Sequence, residues 1–178
     1  AEGDAPGAND DASGTVAVLE LARRIARSPI DRDVVFALFG AEELGLIGST
    51  WMARHRTPAI ENVAAMINLD MVGRLRDCRF YVEDRQTARE FAPIVERVNE
   101  RFHFDARPWE PSRGPWGSSD HESFRNVGVP VLFFFTGLHD DYHRPSDDAP
   151  TLNYRGLGAV TDFADATLRA LAPVPRFT

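Results

Sequence analysis

Glu42 and Glu43 follow directly on the apolar run FALFGA, and Asp70 ends a second such run, MINLD. A fourth carboxylate, Asp10, stands in a loop before a helical pattern, and His143 lies in the turn DDYHRPSDD after the last apolar stretch. Carboxylate oxygens joined by one imidazole make a hard, oxygen-rich donor set, suited to zinc or a similar divalent ion. Open α/β sheets gather their ligands just beyond the C-terminal ends of strands, which is where Glu42, Glu43 and Asp70 fall.

Each of these residues also has a simpler structural reading. Asp10, Asp11 and Ser13 suit the cap of the helix that follows them. Glu42 and Glu43 suit the positive N-terminal end of a helix. His143 alone reads as a turn histidine. Asp70 is harder to explain away, because a carboxylate buried at a strand end is costly without a partner. Their joint occurrence, in this order and at strand ends, favours a shared site.

The elements that must position these groups follow from periodicity. Val18, Leu21, Ala22 and Ile25 mark an amphipathic helix that ends near Ser28 and Pro29. DVVFALFG reads as a buried central strand, apolar on both faces, and LGLIGSTWMARH as a second helix. AAMINLDMVG and RFYVED read as strands, and Phe91, Ile94, Val95, Val98 and Phe102 mark a third helix. VPVLFFF is a strongly apolar strand, and Leu157, Val160, Ala164, Leu168 and Leu171 mark a closing helix. Alternating helices and buried strands predict an α/β fold, a three-layer sandwich with a central mixed, largely parallel sheet flanked by helices. Residues 107–119, rich in proline, glycine and tryptophan, read as a long loop of the kind that is often functional.

Composition narrows the possibilities. The 178 residues are 43% hydrophobic and 26% charged, which fits a single domain over 1–178 with a real core. A formal net charge of -7, with basic residues scattered singly, argues against a nucleic-acid partner. The longest apolar run, residues 129–135, is far short of the roughly 20 residues needed to cross a bilayer. The single cysteine, Cys78, excludes a disulfide within the chain. The opening AEGDAPGANDDASG reads as the middle of a turn-rich loop, so further residues are expected upstream.

PGANDDASG, FGAEELGLIGS, INLDMVG and DYHRPSDD together resemble the successive motifs of the co-catalytic zinc aminopeptidases, the family of the bacterial leucyl aminopeptidases and aminopeptidases S and Y. Single motifs of this kind are weak, whereas the ordered set of four, spanning residues 7–147, is specific. The resemblance implies hydrolysis of the N-terminal bond of peptides with a free N-terminus, and a secreted or periplasmic location. It makes Asp10 the carboxylate bridging two zinc ions, Glu43 and His143 the other ligands of one zinc, and Asp70 a ligand of the second. Glu42 becomes the general base and Tyr142 the hydrogen-bond donor to the oxyanion. Ser119, Asp120 and His121 match an SDH element with a supporting role.

The family also has an upstream H-x-D motif whose histidine completes the second zinc site, and no such motif precedes Asp10 here. The expectation is therefore a chain that lacks the first strands of its domain and holds at most one zinc tightly, of the two in an intact enzyme. Low activity is expected with it, unless His139 or His121 replaces the missing ligand. Trp109, Trp116 and Phe124 are expected to line an apolar pocket for the substrate's first side chain. A glutaminyl cyclase-like enzyme with a single zinc, and a non-catalytic domain of the same fold, are the alternatives. Retention of both Glu42 and Glu43 counts against the second of these.

Overall fold

The computed structural model describes residues 5–55, 62–108 and 119–178. Among these residues four strands form one sheet, β1 (Met66–Leu69), β2 (Arg79–Glu83), β3 (Asp105–Arg107) and β4 (Val131–Phe135), in the order β1-β4-β2-β3. β1 runs parallel to β4 and β2 parallel to β3, while β2 and β4 are antiparallel. The sheet is thus mixed and largely parallel, as expected. The helices are α1 (Ser13–Arg27), α2 (Ile47–His55), α3 (Phe91–Phe102), α4 (His121–Arg125) and α5 (Tyr154–Leu171).

Strand alternation explains the unbroken apolar runs. Leu132 and Phe134 of β4, with Phe80 and Val82 of β2, enter the main core beneath α1, α3 and α5. Phe133 and Phe135 point to the opposite face, where they pack with Tyr81 and Met71. Val131 joins Phe124 of α4 on that same side, with Met52 of α2 packed against them. All five β4 residues are buried because successive side chains leave by opposite faces and both faces are covered. Phe163 of α5 is the hub of the main core, in ring contact with Phe80, Phe102, Phe104 and Phe134.

Because β1 and β4 are parallel, their C-terminal ends lie at one end of the sheet. The loop after β1 carries Asp70 and the loop after β4 carries Tyr142 and His143. The turn before α1 reaches the same end, and two glycines allow it. A Cβ on Gly14 would stand 2.1 Å from the Leu69 carbonyl oxygen, so glycine lets the start of α1 sit against the end of β1. Gly7, at φ +62, would place a Cβ 2.4 Å from the Asp10 carbonyl oxygen.

The segment DVVFALFG is not a strand. Residues 33–40 enter no ladder among the described residues, and Val35 and Leu38 are 60% and 54% exposed. The segment and β1 both line one cavity of about 1130 Å³, which also reaches Val18 and Leu21 of α1 and Leu168 of α5. Apolar, β-branched residues favour a strand only where a neighbour supplies hydrogen-bond partners, and none is described beside this run. The run FALFG therefore forms no ladder with β1 and faces it across the cavity, although the turn that follows it still reaches the site. Strand β3 and helix α4 are additions that the periodicity of the sequence does not show; each has five residues or fewer.

Candidate metal centre

Three of the expected ligands meet at one point. The ligand atoms of Asp10, Glu43 and His143 all lie within 4.8 Å of one another, the one such group found among the described residues. His143 Nε2 stands 3.2 Å from Asp10 Oδ2 and 2.7 Å from Glu43 Oε1. His143 holds φ 56, a left-handed conformation uncommon for a residue with a side chain and often found where function demands it. Its ring stacks on Tyr142 at 3.8 Å between centroids, and Tyr142 packs against the Met71, Tyr81, Phe133 and Phe135 cluster.

The structure separates the two neighbouring aspartates by role. Asp11 Oδ1 accepts from the backbone N–H of Gly14 at 2.9 Å and of Met71 at 3.1 Å, so Asp11 caps α1 and clamps the end of β1 to it. Asp10 instead faces His143 and receives no hydrogen bond of that kind from the helix. Glu43 is exposed, and Glu42 beside it is partly buried and outside the three-ligand group.

Asp70 sits in the same cleft. Ser119, only 2% exposed, donates its hydroxyl to Asp70 Oδ2 at 2.7 Å and accepts from Asn68 Nδ2 at 2.8 Å. Asp70 Oδ1 is buried with no hydrogen-bond partner among the described residues, a placement that a bound cation would satisfy. Asp120 opens α4 and lines the cavity with Glu42 and Asp70. His121 turns away from the cleft. It is buried, stacks on Phe133 and meets Asp84 Oδ2 at 3.3 Å. His139 Nε2 is engaged with Asn9 Nδ2 at 2.9 Å. Neither histidine stands with Asp10 and Asp70 in a ligand group among the described residues.

The electrostatics are those of crowded acids. Burial, then the charges of Asp70 and Glu43, push the Asp10 carboxyl up to about 7, and His143 opposes the rise. Burial with Asp70 and Glu43 likewise pushes Glu42 up to about 7. Asp70 rises to about 6, chiefly through burial, with the Ser119 hydrogen bond holding it down. Tyr142 is pushed up to about 12 by burial and by Asp10, Glu43, Asp70 and Glu42, so its hydroxyl keeps its proton. A divalent cation would relieve this repulsion, and an O,O,N donor set fits zinc.

Trp109 and Trp116 lie outside the described residues. Phe124 lies in the core under β4, packed with Val129 and Val131 and tilted against Phe39 at 5.9 Å, and it also lines the large cavity between β1 and residues 33–40. Sequence patterns also do not single out Asn9, Arg74 or Asp147, which tie the site's loops together. The signals are that Asn9 belongs to the PGANDDASG motif and Asp147 to the DYHRPSDD turn.

Comparison with known proteins adds to this picture. A family model described as Peptidase family M28 matches residues 1–168. The chain is 32% identical over 173 residues to aminopeptidase YwaD of Bacillus subtilis, covering 92% of this chain and 37% of that protein. It resembles the solved structure of BSAP, a zinc aminopeptidase from Bacillus subtilis, with a TM-score of 0.80 and 30% identity, over 92% of this chain and 42% of that one. Glutaminyl cyclase of Porphyromonas gingivalis matches with a TM-score of 0.70 at 22% identity, over 92% and 63% of the two chains, a likeness of fold alone. The chain thus spans about two fifths of the length of the two aminopeptidases.

Proposed function

Since this chain belongs to peptidase family M28, we propose that it is the zinc-binding part of an aminopeptidase, hydrolysing the N-terminal bond of peptides with a free N-terminus. The observation that carries this reading is the convergence of Asp10, Glu43 and His143 at one point. The names of its relatives, aminopeptidase YwaD and the zinc aminopeptidase BSAP, support the same activity. Asp10, Glu43 and His143 would hold one zinc, and Asp10 with Asp70 would offer a second, weaker position. When bound, zinc supplies a Lewis acid that polarises the scissile carbonyl and acidifies water.

The chain's own groups account for the remaining chemistry. Glu42 stands beside the ligand group without belonging to it, and a carboxyl raised to about 7 exchanges protons readily at neutral pH. It takes the proton of the attacking water and returns it to the leaving amine. Tyr142, stacked on His143 and protonated, donates to the oxygen on which negative charge develops. Ser119 orients Asp70.

A second reading is a glutaminyl cyclase-like enzyme, which one observation favours: the described residues form one three-ligand group. A direct assay separates the two. Cleavage of a leucyl anilide supports the peptidase, and cyclisation of a glutaminyl peptide without such cleavage supports the cyclase.

Zinc binding is expected to tighten as pH rises. Below about 6–7 a proton occupies Asp10 and Asp70 and competes with the metal. Each proton displaced weakens apparent affinity by about tenfold per pH unit on the acid side. The same raised values add to metal-free stability at low pH, an increment lost as pH rises through about 4 to 7. Titrations at pH 5.5 and 7.5 should differ at least about tenfold in zinc affinity. Equal affinity at both would contradict protonation of these ligands.

A further inference from the structure

Arg74 and Asp147 form an ion pair with side chains only 4% and 2% exposed, behind the ligand group rather than in it. Asp147 divides its carboxylate between two tasks. Its Oδ2 accepts from the backbone N–H of Asn9 at 2.9 Å and of Asp10 at 3.0 Å, and its Oδ1 accepts from Arg74 Nη2 at 3.2 Å. Its own backbone carbonyl accepts from Ala8 N at 3.0 Å.

Arg74 spreads in turn across the opposite loop. Nη1 donates to Asp141 Oδ2 at 2.9 Å and Nη2 to Thr151 Oγ1 at 2.5 Å, so the guanidinium grips both sides of the turn that carries His143. Its backbone N–H donates to Thr136 Oγ1, whose hydroxyl donates to the Met71 carbonyl at the end of β1. Three segments that carry expected ligands therefore meet at one buried charge pair: the turn with Asp10, the loop after Asp70 and the turn with His143.

A buried ion pair is a poor source of stability, because two charges leave water and apolar residues of similar volume often do as well or better. This one also leaves Arg74 Nε buried with no partner among the described residues. What such a pair supplies is a fixed geometry. Resting on the metallopeptidase reading above, we propose that Arg74 and Asp147 are positioning residues that set the separation of Asp10 and His143 and so the zinc affinity of the site. Asp147 is the stronger of the two, since it alone touches the backbone N–H of Asp10.

The test is zinc affinity of the full chain, by competition with a chromophoric chelator, together with the absorption spectrum of the cobalt-substituted protein. Asp147→Asn keeps an acceptor for the backbone amides and loses the charge that holds Arg74. It should weaken zinc binding by about 10–100-fold, the usual effect of losing a partner behind a ligand, and alter the cobalt spectrum. Arg74→Lys keeps the charge but cannot reach Asp141, Thr151 and Asp147 at once. It should fold and bind zinc less tightly than the parent by a smaller factor. A purely structural pair would lower the unfolding midpoint of the metal-free protein while leaving zinc affinity and the cobalt spectrum unchanged. That pattern in Arg74→Lys would overturn the proposal even if Asp147→Asn did not fold. If the parent itself bound no zinc, the functional reading would fall together with this one; a parent that binds zinc beside variants that bind it equally well would remove this inference alone.

Discussion

Replacing Glu42 with glutamine in the intact enzyme is expected to lower turnover by about 10²–10⁴-fold, the usual contribution of a positioned general base, while leaving zinc content almost unchanged. Glutamine keeps the shape and a hydrogen-bonding oxygen but cannot take up a proton. Glu42 lies beside the three residues proposed to hold zinc without joining them, so on that proposal its loss removes no coordination bond. Its partly buried carboxyl, pushed up to about 7 by burial and by the charges of Asp70 and Glu43, is matched to proton transfer near neutrality. Metal analysis and leucyl anilide kinetics on the same purified variant decide the matter. Zinc loss equal to that of a ligand variant would show that Glu42 binds metal instead.

Glu43→Gln should behave differently, losing zinc and turnover together. Glu43 Oε1 lies 2.7 Å from His143 Nε2 and within the same group as Asp10. A neutral amide there removes one of two negative charges from a three-ligand set, and three protein ligands are already the usual minimum for a catalytic zinc. The loss in affinity should exceed the roughly 10–100-fold that follows removal of an outer partner. A Glu43→Gln protein that retains tight zinc but loses activity would exchange the roles of the two glutamates. Neighbours in sequence are thus distinguished by a measurement that reads metal and rate separately.

Much of this site is legible in the sequence because the groups fall where strands end. The apolar runs of β1 and β4 mark buried strands, and the carboxylate and histidine that follow them are carried to one end of the sheet by parallel pairing. Local chemistry could not decide between capping and binding for Asp10 and Asp11, since aspartate caps helices well. The distinction appears only when Asp11 turns toward Gly14 and Met71 and leaves Asp10 facing His143. Asp147 and Arg74 are less visible still. The two lie 73 positions apart in the chain, and nothing in a turn such as HRPSDD tells which aspartate is buried.

The run DVVFALFG shows the opposite limit. Its composition is that of a central strand, yet strand formation depends on a neighbour's hydrogen-bonding groups, which a local pattern does not contain. Across from it lies the edge of β1, with a cavity lined by both. The short α4, by contrast, is invisible to periodicity because five residues span barely more than one helical turn. The SDH element nevertheless leads into it, with its serine placed on Asp70 and its histidine, the first residue of α4, placed on Asp84.

Calorimetric titration of the metal-free chain with zinc, beside its His143→Ala variant, tests the central claim most directly. A site built from Asp10, Glu43 and His143 predicts one tight equivalent per chain, with any further zinc held only weakly because, among the described residues, only Asp10 and Asp70 are proposed for the second position. The variant should lose the tight equivalent. Two tight equivalents in the parent, or a tight equivalent that survives in His143→Ala, would contradict the account.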